Sequence, residues 1–176
     1  MRIAVIYKSK YGTTKRYAEW IADDLGADLL EHATADAASV AEYDVVVYGG
    51  GIYASSIIGV KLPLKAARGR LVVFTVDLAD PASTEYTALL AKNIPADRMD
   101  AIRFFHLRGG IDYRKLGLVH RGVMAVLKRV IAGKSASKRT PEHEAVLATY
   151  GGQFDFTNRE STVPLVEYVR QLGAAT

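Results

Sequence analysis

The sequence predicts an α/β domain, a parallel sheet of about five strands covered by helices on both faces. Three observations predict it. Short apolar runs recur along the 176 residues, at 3–7, 45–48, 71–76 and 102–107, and such runs read as strands buried on both faces. Segments with apolar residues at helical spacing separate them. Each run ends in a stretch rich in Gly, Ser, Thr, Asp or Tyr, at 9–14, 49–56, 77–83 and 109–113. In parallel sheets ligands bind outside the carboxyl ends of the strands, where these stretches fall.

Ile3, Ala4, Val5, Ile6 and Tyr7 form the first β-favouring run. Tyr17, Ala18, Ile21, Ala22 and Leu25 then recur at helical spacing, and Gly26 supplies the stop. Residues 28–31 read as a short second strand. Val45, Val46, Val47 and Tyr48 make a third buried run that ends in Gly49, Gly50 and Gly51. A fourth run covers 71–76, with a helix expected over 83–92, and a fifth covers 102–107 and ends at Gly109 and Gly110.

A long interruption follows, to about Tyr150. Leu116, Val119, Val123, Met124, Leu127, Val130 and Ile131 share one helical face there. Arg121, Lys128 and Arg129 lie on the other side, and Gly133 ends the run. Gln153, Phe154, Asp155 and Phe156 read as another short strand. The last helix carries Leu165, Val166, Val169 and Leu172, with Ser161 or Thr162 as cap and Gly173 as stop. The whole reads as one domain over 1–176, a five-strand unit whose last strand is split by an insertion at about 111–150.

The turn between the first strand and first helix is Ser9, Lys10, Tyr11, Gly12, Thr13 and Thr14. A phosphate there would meet the free N–H groups of the helix N-terminus, with hydroxyl donors from Ser9, Thr13 and Thr14. Gly12 permits the bend. A capped turn with no ligand is the alternative. The turn is not a P-loop, because G-x-x-x-x-G-K-[ST] is absent. Gly49-x-Gly51-x-x-Ala54 matches a dinucleotide fingerprint, with Asp77 as a ribose-binding acid; yet that fingerprint opens a helix after a first strand, and here it follows the third.

The composition narrows the chemistry. There are no cysteines, which excludes disulfides, thiolate metal sites, iron–sulfur clusters and thiol nucleophiles. Residues 103–139 hold ten basic side chains and one acid, Asp112, for a net +9. The whole chain carries +4, so the remainder carries −5. Charge confined to one segment argues against a nucleic-acid surface and for a local patch. The longest uncharged stretch, 45–60, is broken by three glycines and too short to span a bilayer. His32, His106, His120 and His143 form no metal-ligand spacing, and no G-x-S-x-G is present. No acid, base or nucleophile is nominated.

Tyr7-Lys8-Ser9-Lys10-Tyr11-Gly12-Thr13-Thr14-Lys15, followed by Ala18 and Glu19, resembles the flavodoxin phosphate signature, strand then T/S-x-x-G-x-T then helix. The resemblance implies a doubly wound sheet of order 2-1-3-4-5 and an FMN cofactor, its phosphate held by 9–14. It also implies ring-flanking loops at Gly50, Gly51, Ile52 and Tyr53 and at Asp77, Leu78 and Ala79, with Gly110 closing the site. Tyr53 is placed to stack on the flavin edge or simply to pack. Many flavodoxins carry an aromatic in the loop after the fourth strand, and 77–83 has none.

The run Gly110-Ile111-Asp112-Tyr113-Arg114-Lys115-Leu116, the basic helix after it and the closing strand and helix resemble the oxygen-independent protoporphyrinogen oxidases. These are flavodoxin-like FMN enzymes with a long insertion that pass electrons from a porphyrinogen to menaquinone. The resemblance implies porphyrinogen and quinone as partners and a cytoplasmic location at the inner face of the membrane. An apolar helical face flanked by Lys and Arg at 114–134 suits an anionic membrane surface or an amphipathic acid; packing on the domain with solvated charges explains the same pattern. Two other functions stay open, an electron-transfer flavodoxin working with a redox partner protein, and a non-catalytic module binding through the basic helix.

Overall fold

A computed structural model of the chain describes residues 1–174, and of Glu142 the backbone alone. The strands are β1 (Ile3–Lys8), β2 (Asp28–Glu31), β3 (Val45–Tyr53), β4 (Ser56–Ile57), β5 (Arg70–Asp77), β6 (Ile102–Arg108), β7 (Gly110–Asp112) and β8 (Gln153–Asp155). The helices are α1 (Thr13–Leu25), α2 (Ala37–Val40), α3 (Lys61–Ala66), α4 (Thr87–Asn93), α5 (Ala96–Met99), α6 (Leu118–Ala132), α7 (Pro141–Thr149) and α8 (Val163–Ala174). The central sheet runs β2-β1-β3-β5-β6, every neighbouring pair parallel. Counting only these five strands, the order is 2-1-3-4-5. The two-residue β4 hangs on the end of β3 as an antiparallel hairpin.

Alternation within the strands divides the core. Val5, Tyr7, Val45, Val47, Val72, Phe74, Val76 and Leu107 face α1 and α8, where they meet Tyr17, Ile21, Leu165 and Val169. Ala4, Ile6, Val46, Tyr48, Leu71, Val73 and Ile102 face the other way, against Val40, Leu64 and Ile94. Both faces of the sheet are therefore dry over β1, β3 and β5, which is why these strands read as apolar runs. Each fully buried Ile or Leu in these layers contributes about 1.5–3 kcal/mol relative to exposure.

α1 buries Thr14, Tyr17, Ala18, Ile21 and Ala22 and stops at Gly26, whose φ of 59° lets its N–H reach the Ala22 and Asp23 carbonyls. The third strand continues through the three glycines instead of ending at them. Gly49 and Gly50 pair with Tyr7 and Lys8 on one side, and Gly49, Gly50 and Gly51 pair with Phe74, Thr75 and Val76 on the other. Ladder bonds on both edges outweigh the weak strand preference of glycine.

The helix expected over 83–92 begins at Thr87. Asp80 caps a 3₁₀ turn at Pro81–Ser83, and the Glu85 carboxylate accepts from the Thr87 N–H and hydroxyl, so local side-chain bonds hold 80–86 out of the helix.

The insertion takes a definite form. After β6, Gly109 leads into β7, which pairs antiparallel with β8 in a two-stranded ribbon off the central sheet. Gly110 has no room for a side chain there, since a β-carbon would stand 2.5 Å from the Phe154 carbonyl oxygen. α6 and α7 form the loop of this ribbon. The chain returns to the core through Arg16, which pairs with Asp155, and Tyr17, whose hydroxyl donates to the Arg108 carbonyl and accepts from the Asn158 N–H. The cap of the last helix also differs from the expected Ser161 or Thr162. Asn158 accepts from Glu160 N–H and starts a 3₁₀ turn at Arg159–Thr162 that runs directly into α8, while the Thr162 hydroxyl turns back to the Arg159 carbonyl.

Candidate functional site at the carboxyl ends of the strands

β1 ends at Lys8 and α1 begins at Thr13. Gly12 is the N-cap residue, with φ of 92°, a left-handed conformation that glycine adopts without strain. It has no capping side chain, and the first turn of α1 holds no acid. The first-turn amides therefore lack intrahelical acceptors and point, with the positive end of the helix dipole, to the space above the turn. Ser9 Oγ accepts the Gly12 N–H at 3.0 Å, which shapes the turn and leaves its own hydroxyl hydrogen free to donate. Thr14 is buried, and Lys10 and Lys15 are exposed beside it. The donor set suits a phosphate.

The second wall is the end of β3. A β-carbon on Gly51 would lie 3.7 Å from Thr14 Oγ1 with no clash, and this glycine lines the cavity beside the turn at 9–14. Gly49 and Gly50 are different: their missing β-carbons are replaced by the Phe74 ring and by Ile57 and the Ile58 carbonyl. Beyond Gly51, β3 turns at Ala54 and Ser55 into β4. No helix opens there, so the dinucleotide fingerprint at Gly49, Gly51 and Ala54 has no amide cluster to offer a pyrophosphate. The Lys10 ammonium lies 4.0 Å above the Tyr53 ring and 5.6 Å from that of Tyr11, and Tyr11 meets His120 of α6 edge-on at 6.3 Å.

These walls bound a cavity of about 840 Å³ that continues past Asp77, Leu78 and Ala79 at the end of β5, and past Gly109 and Gly110. Its far sides are Tyr86, Leu89 and Lys92 of the α4 segment, Val123, Met124 and Leu127 of α6, and His143 and Val146 of α7. Of the fourteen residues expected from the sequence, eleven line it: Lys10, Tyr11, Thr13, Thr14, Gly51, Ile52, Tyr53, Asp77, Leu78, Ala79 and Gly110. Ser9 and Gly12 stand behind the lining as the frame of the turn. Gly50 is buried against Ile57 and Ile58, a packing position that faces away from the cavity.

The walls from α4, α6 and α7 were not nominated from the sequence. Only a tertiary fold brings them to the strand ends, although the amphipathic pattern of α6 marked it as a half-buried surface. That pattern is used sparingly. Ile131 is buried, while Leu118, Val119, Val126 and Val130 are 85%, 78%, 65% and 57% exposed.

The histidines are scattered. His32 Nε2 lies 3.2 Å from the Gly59 carbonyl oxygen, and His143 Nδ1 accepts the Thr140 N–H. Among the described residues, no group of three or more His, Asp or Glu could hold a metal ion. His106 is the exception in chemistry. Its Nδ1 lies 2.5 Å from the buried Thr75 hydroxyl, and its ring stacks on Tyr86 at 3.5 Å, one degree from parallel. Tyr113, packed with Tyr150, has its phenol pushed up to about 12, mainly by burial.

Burial lowers the His106 pKa to about 4 from the ordinary 6.5. Between those values the unfolded chain binds a proton that the folded chain does not, so stability is retained above pH 6.5 and falls as pH drops from 6.5 to 4. In His106→Phe, which keeps a ring against Tyr86, this part of the pH dependence is expected to vanish. Urea unfolding midpoints between pH 7 and 4 measure it, and an unchanged slope would assign the titration to another group.

A doubly wound α/β sheet, with its cleft at the switch point between β1 and β3 and an uncapped helix N-terminus opening into it, defines the class of protein. The model of the flavodoxin domain family matches residues 4–138, and the chain belongs to that family. No curated protein matches it. Among solved structures it is similar to a flavodoxin from the domain Archaea, at 12% identity over 60% of this chain and 85% of that one, with a TM-score of 0.41. It is similar to a putative flavoprotein from Bacteroides eggerthii at 17% identity, over 76% and 99% of the two chains, with a TM-score of 0.44. A flavoprotein from Lactobacillus acidophilus, solved in complex with FMN, is 15% identical over 61% and 91%, with a TM-score of 0.40.

Proposed function

We propose that the protein is an FMN-dependent oxidoreductase resembling the menaquinone-coupled protoporphyrinogen IX dehydrogenases. One observation carries the reading. The cavity that starts at the uncapped N-terminus of α1 runs unbroken to the insertion helices α6 and α7, so the phosphate turn and the insertion serve one site. On this reading Ser9, Thr13, Thr14 and the first-turn amides hold the FMN phosphate. Gly51, Ile52, Tyr53 and Asp77, Leu78, Ala79 flank the flavin ring. FMN supplies the redox chemistry when bound, and the protein sets its position and surroundings. The space under Val123, Met124, Leu127 and Val146 receives the apolar body of a large amphipathic substrate.

The outer face of α6 extends the reading to the membrane. Its exposed Leu118, Val119, Val126 and Val130 lie among Arg121, Lys128 and Arg129, with no acid in the helix. Such a surface suits anionic lipid, and it adjoins the cavity wall through which quinone would arrive. Among the described residues no helix is long and apolar enough to cross a bilayer, and the contact proposed is peripheral.

The experiment has two halves. Anaerobic protoporphyrinogen is expected to bleach the visible flavin bands of the FMN-loaded protein, and menaquinone supplied in anionic vesicles to restore them. Flavin that ignores protoporphyrinogen would overturn the substrate. A strongly stabilised semiquinone in a potentiometric titration, with no substrate response, would favour an electron carrier with a redox partner protein instead.

A further inference from the structure

Ala54 and Ser55 are the non-glycine residues with left-handed backbone among those described, with φ of 49° and 56°. They are consecutive, and they form the two-residue turn of the β3–β4 hairpin, in which Tyr53 pairs with Ser56. A turn of this hand needs positive φ at both central positions, which is why such turns are usually built from Asn-Gly or Gly-Gly. Here the sequence places two residues with side chains there. Left-handed backbone at residues with a β-carbon persists only where the surroundings enforce it, and such positions concentrate at functional sites.

The surroundings are the carboxyl end of α4. Asn93 Nδ2 donates to the Ser55 carbonyl at 3.0 Å and to the Leu89 carbonyl at 2.8 Å, and Asn93 Oδ1 accepts the Ile57 N–H at 2.9 Å. The neighbouring Lys92 ammonium donates to the Ala54 carbonyl at 3.3 Å. Two adjacent side chains thus hold both carbonyls of the strained turn and the amide of Ile57, two residues past Ser55. Tyr53, Ala54, Ser55 and Lys92 all line the cavity. The clamp joins two of its walls, the end of β3 and α4.

We propose that Asn93, assisted by Lys92, is a positioning residue for the flavin ring. It fixes the turn at 53–56 in its ligand-ready shape before the cofactor arrives, so that binding does not have to order it. The proposal rests on the reading of the cavity as an FMN site. It assigns Asn93 no contact with the cofactor; its action passes through the turn.

A double-mutant comparison tests this. Asn93→Ala is expected to weaken FMN binding by about tenfold, in line with the loss of the hydrogen bonds that hold the turn. Placing glycine at both Ala54 and Ser55 removes the steric objection to positive φ. In that background the same Asn93→Ala change is expected to weaken binding by less than about threefold. An equal loss in both backgrounds, or no loss in either, would overturn the proposal.

Hydrogen exchange of the FMN-free protein gives a separate readout. Asn93→Ala is expected to speed exchange at 52–57 while β1 and β5 stay protected, and unchanged exchange there would also overturn it. Failure of the unaltered protein to take up FMN would overturn the cofactor reading instead, and the exchange measurement would still decide whether the clamp orders the turn.

Discussion

Replacing Ser9 and Thr14 together by alanine is expected to weaken FMN binding about 100-fold, because hydrogen bonds to a charged group contribute about 1.5 kcal/mol or more each. The two side chains act differently. Thr14 is 3% exposed, lines the cavity and sits beside the open space over Gly51. Ser9 holds the turn through the Gly12 N–H and keeps a hydroxyl hydrogen for a phosphate oxygen. Gly12 contributes no side-chain cap that could stand in for either. Isothermal titration of the double variant reads the effect, and thermal unfolding checks the scaffold, whose two core layers the changes barely touch. An affinity within twofold of the unaltered protein would move the phosphate elsewhere.

Gly49→Ala is expected to cost about 2–3 kcal/mol of stability, the upper part of the range of about 1–3 kcal/mol seen when a close-packed core is overfilled. The added β-carbon would stand 2.1 Å from Phe74 Cζ and 2.7 Å from both Cε atoms. The Phe74 ring is fully buried in the layer with Tyr17, Val47, Val76 and Leu107, so it has nowhere to swing. The strand cannot yield either, since Gly49 pairs with Tyr7 and with Phe74 itself. Phe74→Leu removes the clashing atoms, and the double variant is expected to be less destabilised than the sum of the two single changes. Urea denaturation of the three variants decides it. Additive losses would mean that Phe74 is not what forbids a side chain at Gly49.

Gly49, Gly50 and Gly51 read alike as letters, and a ligand loop was the natural expectation for all three. In the fold, Gly49 makes room for Phe74, Gly50 for the hairpin, and only Gly51 opens on the cavity. Gly50 lies on the opposite face from the other two, and Gly49 differs from Gly51 only in lying one step back along the strand, over Phe74, instead of at the strand end, so neither distinction shows in three identical letters. By contrast, the strand-to-helix turn at 9–14 was legible because all of its parts are local: a strand, a hydroxyl, a glycine and a helix start. The strand order followed from the same local runs together with the family resemblance.

The contributions of Tyr86, Leu89, Met124 and His143 were not legible, since they come from three segments that meet only at the strand ends. Asn93 is the sharpest case. Its role depends on the φ values of two residues 38 and 39 positions away, and nothing in Ala54-Ser55 announces a left-handed turn. The insertion was recognisable as a basic amphipathic helix, yet its exposed face could be read only once α6 was seen to bury Ile131 and leave Val119, Val126 and Val130 outside.

The central claim is that the space above the turn at 9–14 holds the phosphate of FMN. Parallel equilibrium titrations with FMN and with riboflavin, which has the same ring system and no phosphate, test it most directly. FMN is expected to bind at one per chain with a shifted flavin spectrum, and about 100-fold or more tighter than riboflavin, on the same hydrogen-bond magnitudes. Equal affinities for the two, or a protein that stays colourless with FMN in excess, would contradict it.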